Sequence, residues 1–327
     1  MGFIKFDILG LSTLRMIEGA IYHILKRHDG IENPTFEDIR TYYSKYLHPD
    51  VIDLNDQEVY QNIFHEGKWA GVFQFTETGA QTFCQKAQPI SIIDVSAVTS
   101  IYRPGPLAAD VDEQYIQAKE SPQYVQYVND IHQEVTEETY GFLIFQEQIA
   151  LLAHLLGKDL TIDEGNMLRK VLTKKGTGKE ATVKKKLRNK FVQGCIDKGL
   201  KKTTGDKLWQ NFEYFSGYGF NKSHAVSYSI LSFQCAWLLN YYPSEWCAAF
   251  LDKEPETRKE KAINIVKSLG FEIREIDINK SGRVWEIDNE DSNILIQPMT
   301  SLKGFGEAAV QQILDNRPLN TIDDLLF

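Results

Sequence analysis

At 327 residues, 43% hydrophobic and 25% charged, the chain is long enough for two or three packed domains and too apolar to remain disordered. It has no run of about 18 uncharged apolar residues to span a bilayer, and Met1-Gly2-Phe3-Ile4-Lys5 lacks the apolar core of a secretory signal, so a cytosolic protein is expected. Cys84, Cys195, Cys235 and Cys247 form no CxxC pair, which excludes a zinc site or disulfide framework of the usual spacing and predicts buried free thiols.

The net charge of −9 conceals an asymmetry. Between Arg169 and Lys202, 13 Lys and Arg face only Glu180 and Asp197, a net of +11, so the rest of the chain carries −20. A basic segment on an acidic protein suits a polyanion, because each neutralised phosphate releases counterions. A solvated lysine-rich helix face is the alternative use of the same residues.

In chain order, Phe3 to Gly10 alternates apolar and polar positions before a glycine, the pattern of a short strand and turn. From Ser12, read as an N-cap, Leu14, Ile17, Ile21, Ile24 and Leu25 recur at helical spacing towards Arg27 and Gly30. Helical segments follow over 34–49 and 53–67. Gly71-Val72-Phe73-Gln74-Phe75 reads as a strand-like exception. Tyr102-Arg103-Pro104-Gly105-Pro106-Leu107 is a rigid loop presenting an arginine, its prolines fixing φ and removing donors. Helices are expected over 142–156, 164–172 and 180–198, with a basic connection at Lys174 to Lys179. Two more, over 208–215 and 227–239, flank a loop from Ser216 to His224. The charge-rich stretch from Pro255 to Lys261 marks a boundary, after which short strands and turns lead to Leu302-Lys303-Gly304-Phe305-Gly306-Glu307-Ala308-Ala309, similar to a helix-hairpin-helix motif.

Several of these residues carry chemistry. Lys5 and Asp7 share a strand face, since side chains at i and i+2 point the same way; a carboxylate beside an ammonium suits Mg²⁺ and a triphosphate, or equally a surface ion pair. In the loop, Gly217 and Gly219 allow close backbone approach, and Asn221, Lys222, Ser223 and His224 add polar groups for a nucleotide; an ordinary turn beside a core histidine is the plainer reading. Arg103, and Arg169 with Lys170 at a helix end, are phosphate clamps or solvated charges.

Lys5-Phe6-Asp7-Ile8-Leu9-Gly10-Leu11, Gly71 to Phe75, Tyr102 to Leu107, Tyr140-Gly141 with Phe145-Gln146-Glu147-Gln148, Met167-Leu168-Arg169-Lys170 with Lys174-Lys175, and Gly217 to His224 occur in an order that resembles the C-family bacterial replicative DNA polymerases over essentially the whole chain. The resemblance implies a mainly α (α+β) fold: a short palm strand leading into a large helical fingers domain, then a small helix-hairpin-helix module. The implied boundaries are 1–25 for the edge of the palm, 26–254 for the fingers and 255–327 for the terminal segment. It further implies that Asp7 is the third palm carboxylate and a Mg²⁺ ligand, and that Lys5, Arg169 and Lys170 face the incoming triphosphate. His224 lies near the sugar, with Gly219, Asn221, Lys222, Ser223 and Arg103 completing the nucleotide set. Lys170 replaces the family's more usual second arginine, keeping the charge and losing the bidentate fork.

DNA contacts are expected from Lys174, Lys175, Lys184, Lys185, Lys186 and Arg188, and from Gly304 and Gly306 of the hairpin. The family's Pro-Asp-x-Asp-x-Asp motif is absent from these 327 residues, and Asp110-Val111-Asp112, the one spacing that imitates it, matches ordinary fingers sequence. The chain is therefore expected to be one piece of the polymerase, truncated at the palm or the downstream half of a split subunit, and inactive alone. Its expected partners are primer-template DNA, deoxynucleoside triphosphates, the N-terminal portion with the paired aspartates, and a sliding clamp, with no membrane. The alternative is a fingers-derived module that only binds DNA or the replisome; the Lys5–Asp7 pair argues against it, because a binder has no use for a metal carboxylate.

Overall fold

Helix α1 (Ser12–His28) forms as its spacing predicts: Met16, Ile17, Ala20, Ile21, Ile24 and Leu25 are buried, and Lys26, Arg27 and His28 close the last turn, where positive charge suits the helix dipole. Ser12 is not its cap; Leu11 holds that position and makes no side-chain hydrogen bond. The computed structural model describes residues 10–172, 179–217 and 219–325, so the expected palm strand with Lys5 and Asp7 lies outside the described residues.

Helix α2 (Phe36–Tyr46) opens on a capping box in which Asp38 N–H donates to Thr35 Oγ1 at 3.3 Å and Thr35 N–H to Asp38 Oδ2 at 2.8 Å. A short α3 (Gln57–Val59) runs into a π-helical turn, Tyr60–His65. The expected strand at 71–75 is a pair of turns instead, with Gly71 at φ +66° and Gln74 at φ 70°. Strand alternation would put residues 71, 73 and 75 on one face, whereas the buried side chains are Val72 and Phe75. A Cβ on Gly71 would lie 2.9 Å from the Phe250 ring, and Trp246 Nε1 donates to Ala70 O at 2.7 Å, so packing against the indole selects the turn.

The chain continues through α4 (Thr78–Ala87), α5 (Ile92–Ile101), α6 (Pro104–Leu107), α7 (Val111–Glu120), α8 (Asp130–Thr136), a 3-10 turn at Glu137–Thr139, α9 (Gln146–Leu156), α10 (Ile162–Leu172), α11 (Lys179–Asp197), α12 (Lys202–Ser216) and α13 (Lys222–Tyr241). The loop expected at 102–107 is partly helical: Arg103 precedes a single turn whose first residue is Pro104, where the ring's fixed φ fits and no N–H is needed. Likewise Lys222, Ser223 and His224, expected in a loop, form the first turn of α13.

After α14 (Pro243–Lys253) and α15 (Glu256–Ser268), strands β1 (Glu272–Arg274), β2 (Glu286–Ile287) and β3 (Ile294–Ile296) form a mixed sheet in the order β1-β3-β2. β1 is parallel to β3 and β2 antiparallel, with Ile273 and Ile287 both opposite Leu295. A 3-10 turn, Met299–Ser301, precedes the Gly304–Gly306 turn, and α16 (Glu307–Asp315) follows. The mainly helical, α+β expectation is met.

Packing divides the described residues into two units, one from 10–76 with 232–325 and the other within Glu77–Leu231. Leu143, Ile149, Leu152, Leu156, Leu168, Phe191, Trp209 and Phe212 centre the core of the second. All four cysteines are buried free thiols, as expected. No helix among the described residues is long and apolar enough to cross a membrane.

Candidate nucleotide-binding site

The candidate site lies wholly in the second unit, where the start of α9 meets the start of α13. Backbone pairing fixes the junction: Gln146 N–H donates to Phe220 O at 2.9 Å, Phe220 N–H to Ile144 O at 3.0 Å, and Gln146 Nε2 to Gly219 O at 2.7 Å. A Cβ at position 219 would sit 3.2 Å from Gln146 Cγ and 3.3 Å from Phe215 O, so a glycine permits the approach. Beneath it the buried Gln148 satisfies four groups. Its Oε1 accepts from Ile144 N–H (3.0 Å) and Phe145 N–H (2.9 Å), while Nε2 donates to Val135 O (3.2 Å) and Thr139 Oγ1 (2.8 Å).

Glu147 holds the loop itself. Its carboxylate accepts from Asn221 Nδ2 at 2.7 Å and Lys222 N–H at 2.9 Å, and Asn221 Oδ1 in turn accepts from His224 N–H at 2.8 Å, capping α13. Lys222 Nζ donates to both carboxylate oxygens of Glu138, at 2.6 and 2.7 Å. Glu138 belongs to the 3-10 turn, which is tied down by Thr139 Oγ1 to Phe142 O (2.6 Å) and Tyr140 OH to Asp94 Oδ1 (3.4 Å). Asp94 is buried, 3.2 Å from Lys119 Nζ, and accepts from Tyr115 OH at 3.1 Å. Burial, and then the Asp94 charge, push the Tyr140 hydroxyl up to about 12.

What this scaffold presents is the first turn of α13. Ser223 and His224 are exposed. The His224 ring lies 5.4 Å from Phe220 and 4.1 Å from Tyr228, and the Arg103 guanidinium sits 5.1 Å over Phe220. The N–H groups of Lys222, His224 and Ala225 are already taken, by Glu147 and by Asn221, so what the helix start offers an anion is its dipole, with aromatic faces and a guanidinium beside it. Helices α9 and α10 form an antiparallel hairpin in which Gly165 lies against Ala150, a Cβ falling 2.5 Å from the Ala150 carbonyl oxygen. Counting at about 1.5 Å per residue in opposite directions sets position 169 level with Gln146. The Arg169 side chain lies outside the described residues, and Lys170 is exposed. Arg103, Gly219, Asn221, Lys222 and His224 are thus brought together, with Ser223 on the same turn. Sequence reasoning missed Glu138 and Glu147; Glu147 lies inside the Phe145-Gln146-Glu147-Gln148 motif, and Glu138 two residues before Tyr140-Gly141.

Elsewhere the expectations divide. Lys174 and Lys175 lie outside the described residues. Lys184 pairs with Glu213 at 2.7 Å, Arg188 with Asp206 at 2.6 Å and Lys190 with Glu164 at 2.8 Å, so part of the basic excess is neutralised by α10 and α12. Lys185 and Lys186 are exposed. The Lys190 ammonium, then the Thr161 N–H, hold the Glu164 carboxyl below its ordinary range, and Lys186 adds a smaller pull. Gly304 (φ +90°) and Gly306 are exposed in the other unit. Asp110, at φ 53°, precedes α7, and no group of three His, Cys, Asp or Glu among the described residues could hold a metal. A cavity of about 1130 Å³ in the first unit, lined by Arg15, His23, Lys253 and Arg317 among others, contains none of the expected site residues.

Comparison with known proteins gives the family of the chain. A family profile, the bacterial DNA polymerase III alpha subunit finger domain, matches residues 20–199. The DNA polymerase III subunit alpha of Campylobacter jejuni is 31% identical over 325 residues, 98% of this chain and 25% of that protein. That of Aquifex aeolicus is 32% identical over 320 residues (97% and 25%), and that of Vibrio cholerae 29% over 324 (97% and 26%). The chain belongs to the bacterial DNA polymerase III alpha subunit family, through its finger domain. It spans about a quarter of the length of the curated relatives it matches.

Proposed function

We propose that this chain supplies the fingers of a replicative DNA polymerase and grips the incoming deoxynucleoside triphosphate against a primer-template. The observation that carries the reading is the junction of α9 and α13. There, a capped helix start, Lys222, His224 and the Arg103–Phe220 pair gather in one place within a chain of this family. Lys222, Arg103, Arg169 and Lys170 neutralise triphosphate charge, the dipole at the start of α13 favours the phosphates, and the aromatic face of His224 meets the sugar. Lys5 and Asp7 act from the palm side.

Mg²⁺, once bound, would stabilise the charge developed as the primer 3′-hydroxyl attacks the α-phosphate. Asp7 supplies one carboxylate, and the other two come from a Pro-Asp-x-Asp-x-Asp segment outside these 327 residues. Positioning and charge neutralisation carry most of the rate enhancement. The basic segment 169–202 and the Gly304–Gly306 turn hold the DNA backbone without reading sequence.

Primer extension tests the proposal. The purified chain alone is expected to add no nucleotide, and mixing with a polypeptide carrying the paired aspartates to restore synthesis. Asp7→Asn should then abolish it while leaving DNA binding intact. Synthesis by the chain alone would overturn the assignment of the metal carboxylates. DNA binding without synthesis in every mixture would favour a binding module.

A further inference from the structure

We infer that Glu138 is a gate on Lys222, an internal anion that holds the ammonium in the free protein and reclaims it when polyphosphate leaves; the inference rests on the nucleotide-site reading above. The backbones at both ends of this ion pair are fixed independently of it. Glu147 anchors the Lys222 N–H, while Gln148 and Asp94 hold the turn carrying Glu138, through Thr139 and Tyr140. Only the two side-chain tips are free to change partners. They are 33% and 32% exposed, so separating them costs little and a solute reaches them directly.

With both carboxylate oxygens within 2.7 Å of Nζ, Glu138 occupies the positions that phosphate oxygens would take around Lys222. Two anions crowded on one ammonium repel each other, so an incoming polyphosphate must displace the carboxylate. The flexible lysine stem allows the exchange, and the Phe145 ring, 5.7 Å from Nζ, supports the ammonium in transit. A triphosphate, with several charges and further contacts, wins the competition. Pyrophosphate, with fewer, loses it, and Glu138 closes back onto Lys222.

Calorimetric titration of the purified chain with inorganic tripolyphosphate and with pyrophosphate, in chelator and at low salt, tests this. The variants are Glu138→Gln, Lys222→Gln and the double substitution, each first checked for an unchanged melting transition. Glu138→Gln should tighten both ligands by about two- to fivefold, the range of an exposed pair, and Lys222→Gln should weaken them. The gain from Glu138→Gln should vanish in the Lys222→Gln background. A gain that survives there would mean Glu138 only repels anions generally, which overturns the gate. If the parent chain binds and Lys222→Gln weakens it but Glu138→Gln changes nothing, the gate fails and the nucleotide site stands. If neither ligand binds any form, the site reading falls and the gate with it.

Discussion

The junction of α9 with α13 and the basic helix α11 both place cations opposite carboxylates, yet they do so in different ways. At the junction the elements that carry the Lys222–Glu138 pair are anchored through backbone: Glu147 takes an N–H, Gln148 takes two, and Asn221 caps a helix. Along α11 the contacts are between flexible tips, Lys184 with Glu213 and Arg188 with Asp206, on exposed or half-exposed side chains. The first kind fixes where a group points. The second changes only how much charge a surface shows to solvent, and the two should answer substitution with very different magnitudes.

The largest effect is expected at Gln148. Gln148→Leu keeps the volume but leaves the Ile144 and Phe145 N–H groups buried without acceptors, at about 1–3 kcal/mol each. Urea unfolding should show a loss of several kcal/mol; a loss below 1 kcal/mol would mean that the junction is not anchored as described. Asn221→Ala, removing the α13 cap, should cost about 1 kcal/mol and weaken tripolyphosphate binding. Stability lost with affinity unchanged would separate the cap from the site.

Much of this architecture was legible in the sequence. The apolar spacing of α1 located that helix, helices were expected close to where α11 and α13 stand, and the loop before α13 was placed correctly except at its ends, its last three residues beginning the helix. What could not be read was set by distant partners. The turn at 71–75 depends on Trp246 and Phe250, more than 170 residues away. Lys222 and Asn221 look available in sequence because Glu138 and Glu147, more than 70 residues earlier, are not local neighbours. The net of +11 over 169–202 likewise overstated the usable charge, since acids from α10 and α12 answer it through space.

A smaller effect is expected on α11 as pH falls. Glu164 is held below its ordinary value of 4.5, first by the Lys190 ammonium. A depressed carboxyl stabilises the fold fully above its unfolded value, and that contribution is lost as pH falls through the lower, folded value. With 26% of its side chain exposed, the pair should contribute under about 1 kcal/mol. Melting curves between pH 6 and 3 should fall slightly less steeply for Glu164→Gln; identical curves would mean that the pair contributes nothing even where it is partly shielded.

The smallest change is expected at Lys184, and it tests whether α11 carries DNA at all. Counterion release makes the logarithm of affinity fall with the logarithm of salt, by about 0.9 for each phosphate neutralised on duplex DNA. Lys185 and Lys186 are exposed, so replacing each by Gln should flatten that slope by up to this amount, equally on unrelated sequences. Lys184 already faces Glu213 at 2.7 Å, so Lys184→Gln should leave the slope nearly unchanged. Glu213→Gln releases the same lysine without moving it, and should steepen the slope and tighten binding in a parent chain where Lys184 is otherwise silent. A filter-binding series from 50 to 300 mM salt, on the order of the range over which such slopes are linear, reads all four variants together. Equal slopes for Lys184→Gln and Lys185→Gln would show that exposure and pairing do not decide which cations meet DNA. Unchanged slopes throughout would return α11 to a solvated face.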